Sequence, residues 1–156
     1  MGAWLIRKIR DPLVAELRQG ATPDGLAASI ATGATIAVLP LLGVTTLLCL
    51  LAGKVFRLNH IALQIANYLL YPVQFALLVP FIRLGEWTVG AEKMPVNPMT
   101  LLSEFSAAPG DFMVKFAMAG VHGALAWILT APLCGWILWQ ILRPIFRRLS
   151  EFTNKP

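Results

Sequence analysis

The chain has 156 residues, of which 13% are charged and 57% apolar, with a formal net charge of +5. Soluble domains carry about twice that charge and less apolar residue, so the composition points away from a water-facing globular enzyme and toward one membrane domain of a few helices. The basic residues exclude nucleic acid as the natural partner: Arg7, Lys8, Arg10 and Arg18 precede the first apolar run, and Arg143, Arg147, Arg148 and Lys155 follow the last, a flanking pattern that orients membrane proteins.

At the start, Arg7-Lys8-Ile9-Arg10-Asp11 stands where a signal peptide would have its apolar region, so no cleavable signal is expected. Ile6 also fails the myristoylation pattern at Gly2. Ile6, Ile9, Leu13 and Leu17 fall near one helical face. They predict a helix over residues 1–21 lying in the cytoplasmic interface, anchored by Trp4 and restarted at Asp11-Pro12.

Residues 25–53 contain no charge, which is longer than the roughly 20 residues a spanning helix needs. Thr22-Pro23-Asp24 is a helix start. Leu39-Pro40-Leu41-Leu42-Gly43 then interrupts the run. Pro40 lacks a backbone donor and Gly43 tolerates reversed dihedrals, so two half-length helices are predicted, to about residue 38 and over about 44–57. Such a break in a bilayer needs cover from protein or a water-filled cavity. Gly25, Ser29, Gly33 and Ala37 recur every four residues, a small-residue stripe that admits close helix packing.

Residues 61–82 are again uncharged, with Pro72 inside the run; one helix to about residue 70 and a second over about 72–89 are expected. Residues 91–115 read as an outer amphipathic segment, with a short helix after Asn97-Pro98 whose Leu101, Leu102 and Phe105 face apolar surroundings, and a turn at Pro109-Gly110-Asp111. Residues 116–142 form the last spanning run, with Trp136 and Trp139 near its basic end, and residues 143–156 a basic tail. The fold class expected is an all-α integral membrane protein: an interrupted helical hairpin, a Pro-kinked second span, a C-terminal span and flanking interfacial helices. If the interrupted pair is re-entrant, ten of the thirteen Lys and Arg residues lie on the cytoplasmic side with both termini. Two tilted short spans give the same loop sides.

Thr22-Pro23, Leu39-Pro40-Leu41-Leu42-Gly43-Val44-Thr45-Thr46, Arg57-Leu58-Asn59, Tyr71-Pro72 and Leu84-Gly85 together resemble the bacterial membrane family called domain of unknown function twenty sixty-two. The motifs cover residues 20–90, and the general layout extends to about 148. Many members have Asn-Pro where this chain has Tyr71-Pro72. The resemblance implies no established activity; fusions of similar domains to glycosyltransferase-like domains hint at lipid-linked sugars.

His60, Gln64, Asn67, Tyr71 and Gln74 share one helical face by their spacing. Polar groups at membrane depth face protein or water, so this set is either inter-helix glue or the lining of a site. Thr45 and Thr46 follow the break, where they can cap the next helix or join its free amides in holding an anion. Arg83 and Glu86 are spaced to pair, with phosphate contact by Arg83 as the sharper reading. His122 reads as a structural histidine, and Cys49 and Cys134 as small buried apolar residues. No enzyme motif, metal-ligand spacing or cofactor fingerprint is present. The expectation is a non-enzymatic inner-membrane protein without a cofactor. Two functions remain: a small carrier or carrier subunit for a lipid-linked or anionic substrate, contacted by Thr45, Thr46, Gln64, Asn67, Tyr71, Gln74 and Arg83, or a structural partner docking on another membrane protein through the 25–37 stripe.

Overall fold

The computed structural model describes residues 22–153. Every regular element within them is a helix: α1 (Pro23–Ala37), α2 (Thr45–Val55), α3 (His60–Leu69), α4 (Tyr71–Val89), α5 (Pro98–Ala107) and α6 (Pro109–Thr153). The starts follow local chemistry. Thr22 Oγ1 accepts the Gly25 amide at 3.1 Å, Asn59 Oδ1 the Ala62 amide at 2.9 Å, and Asn97 Oδ1 the Met99 amide at 3.0 Å, each satisfying an orphan donor of a first turn. Past the ends of α2 and α4, Arg57 (φ 53°) and Gly90 (φ 66°) take the left-handed conformation common at helix stops.

Residues 25–53 are two helices, as the break predicts. The chain leaves the helix after Ala37 and re-enters at Thr45, with Gly43 at φ 86°. The second uncharged run is also two helices: α3 and α4 meet at a 64° bend around Leu70, with Pro72 in the first turn of α4.

α1 occupies the centre, packing on α2, α3 and α6. It lies parallel to α3: the Asn59 amide donates to Ser29 Oγ at 2.8 Å, and Gly33 lies on the backbone of Leu63. It lies antiparallel to α6. Asp24 meets Arg143 and Arg147 at one end, Trp127 Nε1 donates to the Thr35 carbonyl at 2.8 Å, and Pro40 sits on Gly123 at the other end. α4 is antiparallel to α6 as well, with Gly85 on the His122 carbonyl. At Gly33 and Gly85 a Cβ would overlap the neighbouring backbone, so glycine is required by the closeness of the helices. α2 runs back beside α3, with Gly53 against the His60 ring and Gln64 Nε2 donating to the Thr46 carbonyl at 3.2 Å.

The buried side chains are mostly small: Ala27, Ala31, Ala34, Ala37, Ala119, Ala126 and Ala131, around a cluster of Ile36, Cys49, Leu58 and Leu63. The large apolar residues point outward, with Leu69 75%, Leu129 71% and Leu133 61% exposed. By length and composition α6 can cross a membrane over Pro109–Glu151, and α3 with α4 adds a second crossing if the bent pair is one span.

Several expectations change. Ser29, Gly33 and Ala37 are buried and Gly25 is half-buried; α3 covers the stripe at Ser29 and Gly33, so most of it is packed within the chain. α6 runs unbroken through the residues assigned to outer segment, span and basic tail, and starts directly at Pro109. Charge bounds an apolar run but does not end a helix, and proline suits a first helical position. On α5, which buries no residue, Phe105 meets Phe112 of α6 edge-on at 5.5 Å between ring centroids, while Leu102 is 61% exposed. Cys134 is exposed while Cys49 is buried, because α6 turns the Cys134 face outward. The helix expected over residues 1–21 lies outside the described residues.

Candidate functional site

The polar face of α3 and α4 converges on the break. Gln74 and Asn67 are both 0% exposed, as is Thr45, the first residue of α2. Gln74 Nε2 donates to the Leu39 carbonyl at 2.7 Å, and Leu39 lies just past α1. Gln64 Nε2 donates to the Thr46 carbonyl at 3.2 Å, and Asn67 Nδ2 to Gln64 Oε1 at 3.5 Å. These bonds fix which way the amides face. Of the two ends of a side-chain amide only the nitrogen can donate to a backbone carbonyl, so the oxygen of Gln74 and, through Gln64, that of Asn67 must point the other way. Among the described residues, Thr45 Oγ1, Asn67 Oδ1 and Gln74 Oε1 are buried with no partner. Buried polar groups without partners are rare and costly.

Thr45 and Thr46 do not cap α2. The N-cap position is Val44, whose side chain cannot bond, and Thr46 Oγ1 instead lies 3.5 Å from the Tyr68 hydroxyl. The first turn of α2 therefore keeps free amides and the positive end of the helix dipole. Beside it opens an apolar cleft of about 240 Å³ lined by Pro40, Leu41, Leu42, Val44, Leu78, Ile82, Phe116, Ala117 and Gly120.

The other predicted site residues are placed apart from this set. Tyr71 packs its ring on Tyr68 at 5.6 Å between centroids. His60 is at the far end of α3, on Gly53. Arg83 lies nine residues beyond Gln74, roughly 13 Å along the helix, and donates to Glu86 Oε2 at 2.8 Å.

Sequence reasoning missed what Glu86 does. It is 2% exposed, and its second oxygen accepts the Met94 amide at 2.8 Å, holding the chain after α4 against the helix. Glu86 also lines a cavity of about 410 Å³ with Glu92, Lys93, Glu104, Lys115 and His122. His122 has no carboxylate in its own run, but the fold brings Glu86 to the same cavity from another helix. At the opposite end of the molecule, Asp24 accepts from Arg147 at 2.6 and 2.8 Å and from Arg143 at 3.2 Å. The Arg147 hydrogen bonds, with a smaller contribution from Arg143, hold the Asp24 carboxyl below its usual range. Pairing across 119 to 123 residues leaves no local signal; only the acid beside Pro23 and the basic end of the last run hinted at it.

The fold and the site define an all-helical protein in which a broken helix pair is wedged between a bent pair and a long apolar helix, with a polar set gathered at the break. Residues 6–154 match the family model described as "Uncharacterized protein conserved in bacteria (DUF2062)", and the chain belongs to that family. No curated protein and no solved structure matches it.

Proposed function

We propose that this is a multi-pass protein of the bacterial inner membrane, both termini cytoplasmic, acting as a small carrier or carrier subunit for a lipid-linked anionic substrate seated at the break. What supports the membrane setting is the inverted distribution of side chains. Leu, Ile and Phe cover the outside while Ser29, Thr45, Asn59, Asn67, Gln74 and Glu86 are buried, an arrangement that water disfavours and lipid favours. Asp24 on Arg147 puts the start of α1 and the end of α6 on one side, and the basic residues make that side cytoplasmic. One observation carries the substrate class: the uncapped start of α2 opens beside an apolar cleft. Free amides at a helix start suit a phosphate or other anionic head, and the cleft suits an isoprenoid or acyl tail. Arg83 is not needed for this seat. The chemistry is binding and passage, without a bond made or broken and without a cofactor.

Topology is tested with single cysteines at Ser103 and Ser150 in a background lacking Cys49 and Cys134. An impermeant reagent on intact cells should label position 103 and spare 150; the reverse pattern refutes the orientation. Substrate class is tested on the purified protein by thermal shift. Polyprenyl phosphate should stabilise it more than a neutral lipid of the same length, and Ala117→Trp, which fills the cleft from an exposed position, should abolish that protection with the fold intact. No stabilisation by any anionic or isoprenoid lipid would sink the carrier reading.

A further inference from the structure

The three orphan oxygens share a chemistry that the anionic seat does not use. Asn67 Oδ1 and Gln74 Oε1 are pure acceptors whose nitrogens are already committed, and Thr45 Oγ1 accepts or donates. All three are tied to the same short stretch of chain. Gln74 is bonded to the Leu39 carbonyl, Thr45 opens α2, and Asn67 reaches the Thr46 carbonyl through Gln64. Residues 39–43 lie between the two helices, and their carbonyls stand outside the helical ladder, which α2 resumes where the Val44 carbonyl accepts the Leu48 amide at 3.0 Å. α1 also ends here, bringing the negative end of its dipole beside the Leu39 carbonyl that Gln74 bonds.

We propose that Thr45 Oγ1, Asn67 Oδ1 and Gln74 Oε1, with carbonyls of the unwound 39–43 segment, hold a dehydrated monovalent cation of the sodium class. The set contains neutral oxygens only. Divalent ions draw their sites from carboxylates, whereas neutral side-chain oxygens and unwound carbonyls suffice for a single charge. A cation at the end of α1 also offsets the negative head seated at the start of α2, so binding of the two is mutually favourable. The inference deepens the carrier reading by naming a co-bound ion. It rests on that reading for the ion's role in transport, but not for its binding.

The test is the melting temperature of the full chain in detergent, without added lipid, as sodium replaces choline at constant ionic strength, with potassium and lithium run alongside. A saturable rise in one alkali cation over choline is expected. Thr45→Val keeps shape and removes one oxygen, and should raise the half-saturating concentration by about tenfold or more. Asn67→Asp adds a full charge among the oxygens and should lower it. Equal melting in sodium, potassium, lithium and choline overturns the proposal, since a single bridging water would satisfy the two amide oxygens with no ion dependence. So does a Thr45→Val protein more stable than wild type in every salt, which is the signature of an orphan hydroxyl removed. Protection by polyprenyl phosphate in choline, with no cation effect, would remove the ion and keep the substrate; a cation effect without lipid protection would do the reverse.

Discussion

Two buried regions of this molecule are built on opposite terms. Where α1 crosses α3 and α4 crosses α6, backbone lies on backbone at Gly33 and Gly85, and no space remains. A few residues on, at the break, Thr45, Asn67 and Gln74 are as deeply buried, yet three of their oxygens are without partners among the described residues. The first region is complete in itself and the second is not. A frame of glycine crossings thus stands beside a buried polar set, and it is this set on which the proposed seat rests.

Breaking the frame should cost the most. Gly33→Ala and Gly85→Ala each drive a methyl into a backbone carbonyl, and with no flexible side chain to yield, a loss of roughly 3 kcal/mol or more is expected, read by denaturant unfolding in micelles. An unchanged midpoint would mean that the helices are not so close. Gly43→Val has open space around it, so its loss comes from the left-handed dihedral alone, about 1–2 kcal/mol and somewhat more for the β-branch. Gly43→Asn should recover much of it, and a Val variant as stable as the Asn variant would refute the tight reversal. Trp127→Phe removes the donor to the Thr35 carbonyl that ties α6 to α1, a bond worth about 0.6 kcal/mol in a membrane. Its coupling to Gly33→Ala in a double-mutant cycle shows whether the crossings act as one frame.

The smallest effect should come from the Asp24 clasp, which is exposed and screened. Its carboxyl sits below its usual range through Arg147. Its contribution is therefore present above about pH 4 and is lost as pH falls through the lowered value. Wild type and Asp24→Asn should differ by a constant, small melting shift from pH 5 to 8 and converge in acid. A difference that grows in acid would contradict the pairing.

The helices and their ends could be read from the chain alone because their causes are local. Thr22-Pro23-Asp24, Pro40 to Gly43, Arg57-Leu58-Asn59 and Tyr71-Pro72 act within a turn of themselves, and each marks a boundary close to the observed one. The polar face of Gln64, Asn67 and Gln74 was visible too, since 3.6-residue periodicity is a property of sequence. The length of α6 was hidden, because an uncharged run reports hydropathy while helicity continues through charged ends. Other features were decided in three dimensions. Whether the Gly25, Ser29, Gly33 and Ala37 stripe faced a partner or the chain's own α3 depended on where the chain returned. Whether Thr45 capped α2 depended on where that helix began. Glu86 with Met94 and His122, and Asp24 with Arg143 and Arg147, join positions whose meeting no local pattern encodes. The sequence determined the elements because backbone and capping forces reach only a few residues. The tertiary structure decided which faces met, and with them which buried oxygens were left open, because that depends on how all the helices share one small volume.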